Sequence, residues 1–326
     1  MKAGAKVQNN LHTPKLFCTF VATKREISIL IPVYNGDCRQ MVESLSRQAQ
    51  QLADLEHYEI IVADDGSSNR ACVTVNSSIS TLPHCRFIDR QQNVGRAAIR
   101  NFLAQTAQYE WLLFIDGDMT ITHDDYLATY LNTEDDQQVV YGGYHIGTGE
   151  DSNLRYLYEK ASAHQHTAEE RQKRPYQHFH TANFMVSREV MLAHPFDERF
   201  RTYGYEDVLF GKTMRQNHIS ISHIDNTVGF CKFESNEHFV SKTEEGLRTL
   251  HAFRNDLRGY SNLLTFVEGI HLKVVRGAIR LWHTLFGKLE RRNLCGKHPR
   301  IRLLKIYKIG YYLKLRIMNY KLNKPL

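Results

Sequence analysis

The sequence predicts an α/β layered fold with a mostly parallel sheet, and three observations carry that prediction. Short apolar runs alternate with polar segments of helical length from Ile27 to Met119, the order that builds strand–helix–strand units. The runs are continuously apolar, as in strands covered on both faces. Several end in turns or acids, at the carboxyl edge where open α/β sheets bind ligands.

The elements follow in order. ISILIPVYN (27–35) reads as a buried strand closed by a proline and a turn, with a helix-permissive segment over 38–52. YEIIVADDGSSN (58–69) repeats the design, and CRFIDR (85–90) is a third strand. GRAAIRNFLAQTA (95–107) places Ala98, Phe102 and Leu103 at helical spacing. WLLFIDGDM (111–119) is a fourth strand ending in two acids. Asp64, Asp65, Asp116 and Asp118 therefore converge on one crevice. Further on, a capping-box-like Thr122…Asp125 precedes a helix, and QQVVYGGYHI is a strand. Residues 154 to about 172 read as one helix stopped by Pro175. FHTANFMVSREVML (179–192) holds a strand and a helix. FDERFRTYGYEDVLFGKTMRQN (196–217) is an aromatic loop whose acid pair opens a helix, and HISISHID is a late strand. A capping box at Ser241…Glu244 predicts a helix from about Lys242.

From about Leu263 the character changes. Val267, Ile270, Val274, Ile279, Trp282, Leu285 and Phe286 fall near helical spacing, with bases on much of the other face. Residues 271–326 carry 15 Lys and Arg against the single acid Glu290, whereas 1–270 carries 27 bases against 34 acids. The expected organisation is a lead segment (1–24), an α/β domain (25–260) and a basic amphipathic helical extension (261–326). The extension suits an anionic membrane surface or a solvated face packed on the domain. A nucleic-acid partner is not expected, because no recognition motif accompanies the charge.

With 42% hydrophobic and 24% charged residues the chain is not a disordered one. The six cysteines stand singly, without zinc spacing, which fits a reducing compartment. The N-terminal apolar piece 16–22 is too short and polar-broken for a good signal peptide. No run approaches the ~20 apolar residues of a spanning helix. A cytoplasmic location is expected, with peripheral attachment to the inner face of the cytoplasmic membrane as an option.

ISILIPVYN, IIVADDGSS, NVGRAAIRN, WLLFIDGD and GYEDVLFG, in this order and approximate spacing, resemble inverting family 2 glycosyltransferases of the GT-A fold. The resemblance covers about 27–217 and continues more weakly to Arg254. It implies a nucleotide-sugar-binding α/β domain with a mixed, mostly parallel sheet. It also implies transfer of a sugar from a nucleotide-sugar, UDP-linked in the first instance, to a saccharide or lipid-linked saccharide hydroxyl, in surface polysaccharide or glycoconjugate synthesis.

Asp116-Gly117-Asp118 looks like the DxD motif of that fold. Such carboxylates hold a hard divalent cation, Mn²⁺ or Mg²⁺, with phosphates as co-ligands. The resemblance implies Asp118 as the better ligand and Asp116 as a contact to ribose or, through water, to metal. Gly117 lets the backbone approach a diphosphate. An EF-hand is excluded, since Ile121 and Leu127 replace its glycine and glutamate. The resemblance also implies that Asp64 or Asp65 reads the base, with Pro32 and Tyr34 lining its pocket. Asn93, Arg96 and Arg100 complete the donor side, and the two arginines share a helix face. An acid pair at a helix start is what the macrodipole alone would favour, but one carboxylate there also suffices as the general base of an inverting transfer. Asp207 resembles that base, with Glu206 orienting the acceptor or loop. His180, Asn183, Tyr203 and Tyr205 are the acceptor-side candidates. The sequence departs from the family where many relatives carry a histidine near the metal: Gly229 or Phe230 stands there, with His223 and His238 out of register. His164, His166, His178 and His180 lack a zinc pattern. Two rivals remain, a non-catalytic nucleotide-sugar or membrane-surface binding protein of the same fold, and a nucleotidyltransferase. IPVYNGDCRQM is a poor triphosphate loop for the latter.

Overall fold

The computed structural model describes residues 24–134 and 136–322, with the side chains of 316–322 outside that description. The lead segment up to residue 23 lies outside the described residues. Its first half runs β1 (Glu26–Val33), α1 (Arg39–Gln51), β2 (His57–Asp65), α2 (Arg70–Ser77), β3 (Cys85–Arg90), α3 (Arg96–Thr106), β4 (Trp111–Ile115), α4 (Tyr126–Leu131), β5 (Val139–Tyr141) and β6 (Tyr144–Ile146). Next come α5 (Leu154–Ser162), α6 (Ala168–Gln172), β7 (Asn183–Ser187), α7 (Arg188–Ala193), α8 (Glu206–Gln216), β8 (Ile221–His223) and β9 (Val228–Phe230). Helices α9 (Asn236–Ala252), α10 (Asn262–Gly269), α11 (Lys273–Leu294) and α12 (Ile301–Leu322) end the chain.

The apolar runs form the expected mixed, mostly parallel sheet, in the order β3-β2-β1-β4-β7-β5-β8. Only β7 runs against its neighbours β4 and β5. A separate two-stranded parallel sheet joins β6 to β9. Strand β1 is buried almost throughout, since β2 and β4 flank it in parallel and apolar clusters cover both faces. The chain steps outward from β1 through β2 to β3 and then crosses back through α3 to place β4 on the other side of β1, so the carboxyl ends of β1, β2 and β4 open a crevice at the point where strand order reverses. The four acids stand at its rim: Asp64 and Asp65 close β2, and Asp116 and Asp118 follow β4 directly.

Three local expectations need correction. Helix α9 starts at Asn236, capped by the Ser235 side chain, which accepts from the His238 N–H. Ser241 therefore lies inside the helix, because the earlier serine already supplies the cap, taking the His238 N–H. The span 154–172 is broken by a 3₁₀ turn over Ala163–His166 and resumes only as the short α6, capped by Thr167. Ahead of α4, Asp125 occupies the cap position without a capping bond from its side chain, which pairs with His123 instead. The basic extension folds back on the domain. Leu264, Val267, Tyr312 and Leu313 share a core with Phe200, Leu247 and Leu250, and Leu294, Leu304 and Tyr307 pack with Leu154 and Phe239. Among the described residues the cysteines are free, and no helix is long and apolar enough to cross a membrane.

Candidate active site

Two cavities meet at the end of β4. One, of about 540 Å³, is lined by Pro32, Tyr34, Asp65, Asn93, Arg100 and Gly117, with His238 and Glu245 of α9 on its far side. The other, of about 470 Å³, is lined by His180, Tyr205, Glu206 and Asp207, with Arg155, Tyr158 and His166 opposite. Arg96, Asp116, Asp118, Tyr203 and Lys242 line both. The acids after β4 thus form a shared wall between one chamber holding the predicted base-reading residues and one holding the predicted general base.

Each wall has a local cause. The Gly117 N–H donates to the Pro32 carbonyl at 3.2 Å, and an added Cβ there would lie 3.1 Å from Pro32 and Val33. Glycine therefore lets the turn after β4 close on the end of β1. Asp65 accepts from the Val94 and Gly95 N–H groups, both at 3.0 Å, and so pins the loop that leads into α3. Burial pushes its carboxyl up, against the pull of those two bonds. Asp64 is fully buried and turns away from the cavities, accepting from the Ser67 N–H and hydroxyl at 2.7 and 2.6 Å. Of the two acids closing β2, only Asp65 faces a chamber.

Arg96 and Arg100 both reach the acids, Arg96 from the exposed side and Arg100 from within. Arg96 Nη2 lies 2.8 Å from Asp116 and its Nε 2.9 Å from Glu206, the second contact out of line for a hydrogen bond. Arg100, almost wholly buried, donates to Asp116 and stands 3.9 Å from Glu206. The four side chains form an interlocked charge cluster. Glu206 is buried within it, and burial pushes its carboxyl up despite Arg96. Asp118 opens to the crevice with protein packed around it and has no ion-pair partner among the described residues. Burial and the neighbouring Asp116 charge push its carboxyl up.

Tyr205 precedes α8 at a φ of 73°, a left-handed conformation uncommon for a bulky residue. This bend follows Gly204 at φ 93° and turns Glu206 and Asp207 into the first turn of α8. The Val208 N–H donates to Asp207 Oδ1 at 2.8 Å, and His180 Nδ1 lies 3.0 Å from Oδ2. Burial would push Asp207 up, but the His180 bond, positive charge and the Val208 N–H outweigh it and hold the carboxyl below its ordinary value. His180 thus stands against the carboxylate itself, a more specific place than the sugar contact expected of it.

Asn183 must be corrected. It is completely buried, accepting from the Tyr126 and Tyr130 hydroxyls and donating to the Gly143 and Asn226 carbonyls. All its polar capacity goes to tying β7 to α4 and the loop after β5, so it does not reach the acceptor chamber. His223 is also structural, buried between Arg171 and the Pro175 carbonyl. His166 and His178 do line the second chamber, and burial holds His166 down at about 4, so it faces the chamber uncharged at neutral pH.

Some lining residues were not singled out from sequence. Lys242 pairs with Glu234 at 3.1 Å and sits over the Tyr203 ring. Its spacing from His238, four residues along α9, was the available signal. Lys308 and Leu304 of α12 line the second chamber, and nothing local to 304–308 marks them.

A divalent cation fits in a limited way. Among the described residues no group of three His, Cys, Asp or Glu side chains gathers into a ligand set, and Asp116 already faces two arginines. Asp118 is the carboxylate able to take one position, the remainder falling to substrate phosphates and water, as small hard cations accept. The stretch that departs from the family's histidine has become strand: Gly229 pairs with His145 across β6 and β9.

A family model described as Glycosyl transferase family 2 matches residues 28–193. Over 100 residues the chain is 33% identical to an uncharacterized glycosyltransferase of Haemophilus influenzae, covering 30% of this chain and 38% of that one. Over 113 residues it is 33% identical to a poly(ribitol-phosphate) beta-glucosyltransferase of Bacillus spizizenii, covering 34% of this chain and 18% of that one. The chain thus spans well under half the length of these relatives. In fold it is similar to a mannosyltransferase of Pyrobaculum calidifontis solved with GDP-Man and Mn²⁺, with a TM-score of 0.53 at 12% identity over 92% of this chain and 88% of that one. With more than half of its length matched by the family model, and the predicted sheet in place around the crevice, the chain belongs to glycosyl transferase family 2.

Proposed function

We propose that this glycosyltransferase moves a sugar from a nucleotide-sugar, UDP-linked in the first instance, to a hydroxyl of a saccharide or lipid-linked saccharide, with inversion, in the building of a surface polysaccharide or glycoconjugate. The observation that carries the reading is the pair of chambers with Asp116 and Asp118 as common wall: Asp65 and Tyr34 line one, Asp207 the other. In this reading the nucleotide lies in the first chamber, with Asp65 and Asn93 near the base, Tyr34 available for stacking and the diphosphate directed to Asp118. The acceptor enters the second, between Tyr203, Tyr205 and His180. Asp207 takes the proton from the attacking hydroxyl, and a depressed carboxyl is ready for that at neutral pH. Arg96, bridging both chambers, supplies positive charge beside the leaving diphosphate. A divalent cation bound at Asp118 would supply further charge there. The likeness to a poly(ribitol-phosphate) beta-glucosyltransferase supports a polymer acceptor. The basic C-terminal helices support attachment to an anionic membrane.

Calorimetric titration with UDP and with GDP, each with and without Mn²⁺, tests this. UDP binding strengthened by Mn²⁺ is expected, and Asp118→Ala weakens it by at least the roughly 10–100-fold that loss of a metal's outer-shell partner costs. Preference for GDP would redirect the donor. No binding of either by folded protein would overturn the reading of the first chamber.

His180 gives a second expectation. Removing its bond to Asp207 in His180→Ala lets burial dominate and raises the Asp207 pKa. Since the base must be unprotonated, the acid limb of the kcat/KM profile moves to higher pH, while UDP affinity stays unchanged. An unmoved limb in an active variant would remove His180 from this role.

A further inference from the structure

We infer that the outward face of α11 is a docking surface for an anionic lipid bilayer. A surface helix ordinarily turns its apolar stripe to the core. Helix α11 carries its apolar stripe on the opposite side. Its buried positions are His283, Gly287, Glu290 and Leu294, which face the rest of the protein. Val274, Leu281, Leu285 and Leu289 point away from it and are 83%, 61%, 63% and 60% exposed, with Trp282 half exposed beside them. From Val274 to Leu289 this apolar ridge runs about 22 Å along the helix. Leu272 extends it at the N-terminal end.

Charge decides the occupant. Lys273, Lys288 and Arg292 are exposed along the ridge, in a segment whose single acid, Glu290, is buried and held by Trp282 Nε1 at 2.8 Å and His283 Nδ1 at 3.0 Å. No carboxylate of α11 therefore faces outward to repel an anionic surface. Exposed leucines and a tryptophan rimmed by lysine and arginine are the composition of a helix lying in the interface of an anionic leaflet. A second copy of this chain would bring the same bases against one another. The reverse side of the helical hairpin supplies a consequence: α12, packed against α11, contributes Leu304 and Lys308 to the lining of the acceptor chamber. A bilayer held by α11 is then separated from the element lining that chamber by the α11 helix alone. This deepens the lipid-linked acceptor reading, but its test measures lipid binding alone. Failure there leaves UDP binding intact, whereas failure of the transferase reading does not.

Trp282 is a built-in probe, because the only other tryptophan, Trp111, is buried in the core. The full chain is mixed with vesicles of phosphatidylcholine containing phosphatidylglycerol. Expected are a blue shift of Trp282 emission, its quenching by brominated lipid, and cosedimentation that weakens as salt is raised. The variant Leu281→Ser/Leu285→Ser/Leu289→Ser loses vesicle binding by at least about tenfold, with thermal unfolding and UDP affinity little changed because these side chains are mostly exposed and belong to none of the buried clusters. Absence of the blue shift with phosphatidylglycerol vesicles would overturn the inference. So would equal binding to pure phosphatidylcholine, or a concentration-dependent Trp282 shift with dimer formation in the absence of lipid, which would assign the face to a second copy.

Discussion

Asp207→Asn lowers transfer by about 10²–10⁴-fold, the range of a lost general base, while UDP binds as before. The substitution keeps the shape of the side chain and an oxygen able to accept from the Val208 N–H, so the first turn of α8 is preserved. What it removes is the capacity to take a proton. Asp207 lines the acceptor chamber and not the one with Asp65, so nucleotide affinity is insulated from the change. Glu206 cannot substitute, although it is adjacent. It is buried, ion-paired with Arg96 at 2.9 Å, and part of the charge cluster around Asp116. Steady-state kcat/KM with a UDP-sugar, alongside a calorimetric Kd for UDP, separates the two effects. Full activity in Asp207→Asn would overturn the assignment of the base. Equal loss of UDP binding would show that the chambers are not separate in function.

The positions of Asp116, Asp118 and Asp207 were legible because their signals are local. A buried parallel strand is an uninterrupted apolar run, and the acids that follow it must emerge at the carboxyl edge whatever the rest of the chain does. An acid pair after a glycine-containing aromatic loop marks a helix start in the same way. Asn183 was misread because its role is set by partners from elsewhere in the chain. Tyr126, Tyr130 and Asn226 are brought to it by α4 and by the loop before β9, and no pattern around residue 183 announces them. The cap of α9 was misplaced for a different reason. Ser235 and Ser241 both offer an N-cap oxygen, and the choice falls to the residue that leaves Phe239 and Val240 facing the core. Tyr158, Lys242 and Lys308 line one chamber from three distant helices, an arrangement that exists only once α12 has packed on α9. The apolar stripe of α11 was visible in composition, but that it faces away from the protein depends on His283, Gly287, Glu290 and Leu294 taking the buried side.

Arg100→Met shows the cost of opening the charge cluster. Arg100 is, with Arg171, one of the two largest fully buried side chains among the described residues, and it stands between Asp116 and Glu206 with Arg96 on the outer side. Methionine fills much of the volume but leaves two carboxylates sharing Arg96 alone. Breaking a buried pair by removing one partner costs about 3–5 kcal/mol, so the melting temperature falls by several degrees, on the order of 5–10 °C for a chain of this size. Arg100→Lys restores the charge without the planar fork that spans both acids, and recovers part of the loss. Arg96→Met behaves differently. Arg96 is 40% exposed at the shared wall of the two chambers, so solvent and substrate phosphates can reach it. Its removal falls mainly on donor affinity and kcat, with a smaller change in melting temperature. Scanning calorimetry and UDP titration on the three variants distinguish the roles. If Arg100→Met melts with the unchanged protein, the buried cluster is not holding the end of β4 in place, and Arg100 returns to being a donor contact.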